Sequence, residues 1–362
     1  MTKKILTAII ATGAVMAATT ADAAIDTNIG GYFRGYGVYA DNDIPDQQKY
    51  DFRRDSKITF QAKTTLEDGL TVGAYSEARL ANGNSDVRVS EIYAFVANAH
   101  GKINLGVEDG AAYLLQVAAP SADSNIDGMR NYINAARQGL ANGYAHTDFG
   151  GSSNPTDRIT YFMPKVNGFQ AGVSYAFQQG EVTSLAPMGP KKVVNDFKNL
   201  WELAARYDHA YDGFDVSLGA GFSDSSVKET GVAAAEATDG IKTWNTGINI
   251  GHDGFNLGTA YRTTTKHQLD AALNNVRVKT TSWVVGASYD TGPWHAGASY
   301  LYARETTGLV GKTDAAEKYT VGGGYTVGPG ISLRSAVAWG NAGAGAAKRD
   351  YTQVTVGTDI QF

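Results

Sequence analysis

The chain has 362 residues, with 43 Gly, 20 Tyr, no Cys and a formal net charge of -5. The missing cysteines exclude a disulfide scaffold and a Cys-ligated metal site, and the mild acidity argues against a nucleic-acid partner, which would favour a basic stripe. Mean hydropathy is -0.25, and beyond the N-terminus no stretch approaches the run of about 20 apolar residues that a transmembrane helix needs. A transmembrane β-barrel leaves the same mild average, because each strand shows lipid only at every second residue.

At the N-terminus, Lys3 and Lys4 precede an apolar run from Ile5 to Ala18, followed by the small-x-small site Ala21-Asp22-Ala23. This order predicts a secretory signal peptide over 1–23, cleaved to leave a single barrel domain over 24–362. The segment is too short, and ends in residues too small, for an anchoring helix. Its removal makes the net charge one unit more negative.

From there a phrase repeats: a short turn ends in Gly or Pro and a bulky apolar residue follows. Examples are Gly168-Phe169, Gly213-Phe214, Gly254-Phe255, Pro293-Trp294 and Gly330-Ile331. They recur at about 40 residues, a hairpin plus its loop; a propeller blade of that period would need four short strands. The strands alternate. Phe214, Val216, Leu218, Ala220 and Phe222 share one face, with Asp215, Ser217, Gly219 and Gly221 on the other. In a soluble sandwich the apolar face is the core, whereas in an outer-membrane barrel it meets lipid. Strand lengths of about nine to eleven residues suit a tilted membrane span. Aromatic residues at both strand ends, and short turns alternating with long polar loops, also favour the barrel. The spans predict sixteen strands, from 29–40 to 351–362. The fold class is all-β, a transmembrane antiparallel barrel closed by pairing the first strand with the last.

One segment, Asp109–Asp157, has no strand alternation of its own. It holds the apolar cluster Tyr113, Leu114, Leu115 and Val117, a helical spacing at Met129, Tyr132, Ile133, Ala136 and Leu140, and the acids Asp109, Asp123 and Asp127. A long loop inside a regular sheet is usually functional, and by strand count it is the third long loop, expected to fold into the lumen.

The chain resembles the general porins of Gram-negative bacteria, particularly those of alphaproteobacteria. The likeness rests on Gly30-Gly31-Tyr32-Phe33-Arg34-Gly35-Tyr36-Gly37, Leu66-Glu67-Asp68-Gly69-Leu70-Thr71-Val72-Gly73-Ala74 and Arg158-Ile159-Thr160-Tyr161-Phe162-Met163-Pro164, and it covers nearly all of the mature sequence. It implies a sixteen-stranded, water-filled, trimeric barrel in the outer membrane whose third loop folds inward. It implies contact with outer-membrane lipid and lipopolysaccharide, and a terminal aromatic, Phe362, read by the barrel-assembly machinery. The enterobacterial Pro-Glu-Phe-Gly-Gly loop signature is absent.

A passive channel for ions and small hydrophilic solutes needs no catalytic residue, cofactor or metal, only width and a field across a constriction. Strand parity points Arg53, Lys57, Lys63, Glu77, Arg79, Arg206, Arg262, Lys318 and Arg334 into the lumen. The phase of Arg34 is open, since Tyr32 and Tyr36 share its face. The expected constriction is a basic wall (Arg34, Arg53, Lys57, Arg79) facing the acids Glu108, Asp109, Asp123 and Asp127. The plainer reading of each residue is that a wet wall is polar. The loop acids lack EF-hand spacing for calcium, and the six scattered His form no Ser/His/Asp constellation. The alternatives are a substrate-specific porin for sugars, phosphate or dicarboxylates, and a plugged structural or adhesive surface barrel. Small residues at Ala94 and Ala97 are expected to face outward and favour subunit contact.

Overall fold

A computed structural model describes residues 24–41, 48–81, 88–122, 139–140, 143–144, 147, 149, 154–178, 197–227, 240–269, 275–308, 312–343 and 349–362. The barrel begins with β1 (Asp26–Asp41), β2 (Tyr50–Thr65), β3 (Thr71–Ala81), β4 (Arg88–Asn98) and β5 (Gly101–Glu108). The loop that follows carries a one-turn helix α1 (Ala111–Leu114) and the two-residue strands β6 (Gly139–Leu140) and β7 (Gly143–Tyr144). The barrel resumes with β8 (Thr156–Phe162), β9 (Phe169–Gln178), β10 (Phe197–Tyr211), β11 (Phe214–Val227), β12 (Lys242–His252) and β13 (Phe255–Leu269). It ends with β14 (Asn275–Thr291), β15 (Trp294–Thr307), β16 (Lys312–Gly328), β17 (Ile331–Gly343) and β18 (Arg349–Gln361).

Sixteen of these strands form one closed barrel, β1–β5 and β8–β18, with each antiparallel to its neighbours and β1 paired with β18. Beyond β18 the ladder continues through the last residue. The Gly31 N–H donates to the Phe362 carbonyl at 2.8 Å, and the Phe362 N–H donates back at 3.1 Å. Closure leaves no unpaired edge for lipid to meet.

The short turns explain themselves in the sequence. At Asn167-Gly168, Asp212-Gly213 and Asp253-Gly254 both central residues have positive φ, the pattern of two-residue hairpin turns whose twist matches the strands. Asn, Asp and Gly are the residues that tolerate it.

Burial decides which side meets lipid. In β10, Leu203 is 58% exposed while its neighbour Glu202 is 0% exposed. Apolar side chains face out and charged ones face in, the reverse of a soluble core. Aromatic pairs gird both ends of the outer face. Phe214–His252, Phe255–Tyr289 and Trp294–Tyr325 lie near the short turns, and Tyr175–Trp201, Phe222–Trp244 and Tyr319–Trp339 lie toward the long loops.

β2 starts at Tyr50, so Arg53 stands on the strand, in phase with Lys57. One sequence expectation shifts. Ala94 does face outward, between Ile92 and Val96, but Ala97 shares the inner face with buried Phe95. Alternation allows only one of two residues three apart to face lipid.

Candidate pore constriction

The loop after β5 turns into the barrel at once. Helix α1 lies against β8–β11. Its first N–H groups, which have no partner inside the helix, find acceptors on the wall. The Ala111 N–H donates to Ser174 Oγ at 2.9 Å, and the Ala112 N–H donates to Glu202 Oε2 at 3.0 Å. Glu202 is held in turn by the Arg158 guanidinium at 2.9 Å. Ala111, Ala112, Leu115, Phe149, Phe162 and Ala204 close a small apolar cluster there.

From Gln116 to Ala122 the chain travels sideways across the inner wall from β10 to β15. Wall side chains hold its carbonyls along the way. Arg206 Nη1 donates to Gln116 O at 3.2 Å, Asn249 Nδ2 to Ala118 O at 2.7 Å, and His295 Nε2 lies 3.2 Å from Ser121 O. The returning part of the loop is tied down too, with the Phe149 N–H donating to Gln116 Oε1 at 3.0 Å and Asn245 Nδ2 donating to Thr147 O at 3.3 Å. Further along the circumference, β6 lies against β16 and β17.

The wall across from this seat is a ladder of alternating charge. Asp359 lies between two arginines, 3.1 Å from Arg334 and 3.7 Å from Arg34, and accepts from the Tyr36 hydroxyl at 2.7 Å. Arg34 stacks on the Tyr32 ring at 4.4 Å, and the Tyr32 hydroxyl donates to Asp55 at 2.6 Å. Lys57 pairs with Glu77 at 2.7 Å, and Glu77 also takes a hydrogen bond from Ser90. The exposure is uneven. Side chains of Arg34, Lys57 and Arg334 stay 18–19% exposed, while Asp359 and Glu77 are 7–8% exposed. Cations line the water and their counter-charges sit behind them.

The expected residues therefore fall as follows. Arg34 points inward, and Tyr32 and Tyr36 go with it because each hydroxyl has a wall carboxylate to bond. Arg53 pairs with Asp51 at 2.7 Å, toward the mouth that bears the long loops. Arg79 stands in register beside Lys57. Glu108 is buried at the loop root, bonded by Asn104, rather than open to the lumen. Asp109 lies just beyond β5, and enclosure pushes its carboxyl up to about 6, with Arg158 and Lys57 opposing the rise. Asp123, Asp127 and the helical spacing up to Ala136 lie outside the described residues; Leu140 of that spacing is in β6. Among the described residues no group of three or more His, Asp or Glu is arranged to hold a metal ion.

Glu91 escaped the sequence reading. A β-bulge against β3 places Ser90 as the extra residue, since Glu77 pairs with Glu91 but Ala78 pairs with Val89. Both Ser90 and Glu91 then turn inward. Glu91 hydrogen-bonds Asp109, a contact between two carboxyl groups that requires one of them to carry a proton. Only an interruption of alternation at Val89-Ser90-Glu91 hints at this in the sequence.

A closed sixteen-stranded barrel with an apolar outside, a charged inside and an infolded loop defines an outer-membrane channel. Residues 6–357 match the Gram-negative porin family, and the chain belongs to that family. It is a channel of the outer membrane for passive diffusion of small hydrophilic solutes. Its fold is similar to that of the anion-selective porin from Comamonas acidovorans (17% identity, TM-score 0.66, covering 94% of this chain and 100% of that one). It is also similar to Salmonella typhi OmpF in complex with daunomycin (18%, 0.63, 93% and 97%) and to OmpT of Vibrio cholerae in its trimer form (13%, 0.65, 94% and 100%). No curated protein matches the chain.

Proposed function

We propose that this porin selects solutes by a transverse field between the basic wall, Arg34, Arg53, Lys57 and Arg79, and the acids of the third loop, Asp109, Asp123 and Asp127, with Glu108 at the loop root. The observation that carries this reading is the uneven exposure at Arg34 and Lys57, repeated at neighbouring Arg334, where the cations are more open than the carboxylates Asp359 and Glu77 that pair with them. Fixed charges of opposite sign across a narrow passage order dipolar solutes and set ion preference. The channel makes and breaks no bonds, so its specificity lies in width and field alone.

The remaining assignments belong to the same reading. Residues 1–23 are a signal peptide, and Phe362, joined to Gly31 by two backbone bonds, is the mark read by the assembly machinery. The barrel sits among outer-membrane lipid and lipopolysaccharide as a trimer, the form recorded for OmpT of Vibrio cholerae. The test is to replace residues 110–154 by a short turn, which the pairing of Glu108 with Thr156 allows. The barrel is expected to fold and to conduct more, with faster sugar entry in liposome swelling. A barrel that fails to assemble makes the loop structural first.

A further inference from the structure

The loop's path across the wall coincides with missing side chains. On β11 and β12, Gly219 and Gly247 are register partners, and both lie under Val117. On β13 and β14, Gly258 and Gly286 are register partners, and both lie under Pro120. On β15, Gly297 lies under Ala122. A Cβ on Gly219 would stand 2.8 Å from the Val117 nitrogen, whereas one on Gly258 would strike the wall's own Asn249 side chain before it met Pro120 Cδ at 2.8 Å. On Gly247 and Gly286 it would collide with the Val117 and Pro120 carbonyl oxygens. Side chains flank this floor and hold the backbone carbonyls of Gln116, Ala118 and Ser121.

We propose that these paired glycines form a trough that sets the depth of the loop and thereby the bore of the pore. Gly247 and Gly286 are positioning residues for permeation, although neither of them touches the solute. At Gly247 and Gly286 the nearest contacts are loop carbonyls, so at these two positions the trough bears on the path of the loop backbone itself. The proposal rests on the reading of this loop as the constriction.

The physical argument concerns which partner yields. Each wall strand is hydrogen-bonded on both sides, and lipid supplies no substitute for those bonds. The loop is held by a few side-chain bonds. An added methyl at Gly247 or Gly286 therefore moves the loop, by roughly 1–2 Å to regain ordinary contact, and the only open direction is into the lumen.

The experiment uses the full chain, whose lack of cysteine allows spin labels at Ala118→Cys on the loop and Gln61→Cys on the wall across the lumen. Gly247→Ala and Gly286→Ala are expected to shorten the label distance and to lower single-channel conductance. Gly37→Ala, where a Cβ meets nothing closer than 3.7 Å, is expected to change neither. An unchanged distance in the trough variants overturns the trough. A shortened distance with unchanged conductance overturns the claim on the bore, and with it the loop as constriction. Should the glycine variants not fold, Asn249→Ala removes a tether without adding bulk. It is expected to broaden the distance distribution and raise open-channel noise, and a narrow distribution with quiet current counts against the proposal.

Discussion

Glu202 and Arg158 meet at 2.9 Å in the wall behind the loop, with side chains 0% and 1% exposed. Such a pair gains little net energy from its own attraction, because both charges have left water. Here the carboxylate also accepts the Ala112 N–H, so one buried charge joins β8, β10 and the first turn of the loop. Replacing Glu202 by Gln removes the carboxylate that contacts Arg158 and leaves that enclosed charge with only the more distant Asp109 to offset it. The expected cost is about 3–5 kcal/mol, read as a lower thermal unfolding temperature in detergent and faster proteolysis within the loop. Unchanged stability would mean that the pair is dispensable.

Asp359 offers a second test, because it is ion-paired with both Arg34 and Arg334. Asp359→Asn removes the shared counter-charge and leaves both cations facing water. Reversal potentials in a salt gradient are expected to move toward anions. The effect should shrink at high salt, since lumen charges are screened over about 10 Å at 0.1 M and about 3 Å at 1 M.

Acidity should act through Asp109. Burial raises the Asp109 carboxyl, and its hydrogen bond to Glu91 makes the two carboxyls titrate as a pair rather than singly. Cation preference is therefore expected to fall as acidification adds the pair's second proton, and Asp109→Asn should remove that step. A step that survives in the variant belongs to another group.

The outer face can be tested at Leu203, near the middle of β10. Leu203→Lys places an ammonium in lipid, and the expected cost is about 2–4 kcal/mol. Gln61→Lys, on the lumen face, should leave unfolding nearly unchanged. Equal costs at the two sites would contradict the assigned orientation.

Much of this architecture is legible in the chain because a barrel repeats one rule. Alternation along Phe214–Phe222, Gly-apolar turns and a terminal strand ending at Phe362 yield the strand count, the closure and the place of the loop. What stays hidden has a local cause. Tyr32 and Tyr36 resemble lipid-facing aromatics until Asp55 and Asp359 supply acceptors for their hydroxyls. Glu91 is concealed by the bulge at Ser90. The trough is concealed because Gly219 and Gly258 read only as small residues on a polar face. Their meaning depends on which strand neighbours stand beside them, and that is a property of register.

The most direct measurement of the account is the reversal potential of the Arg34→Gln/Lys57→Gln double variant in a planar bilayer under a potassium chloride gradient. These are two of the cations that line the water, and the account predicts a shift toward cations relative to the unmodified channel. An unchanged potential, in a barrel that still conducts, would contradict the basic wall as a determinant of selectivity.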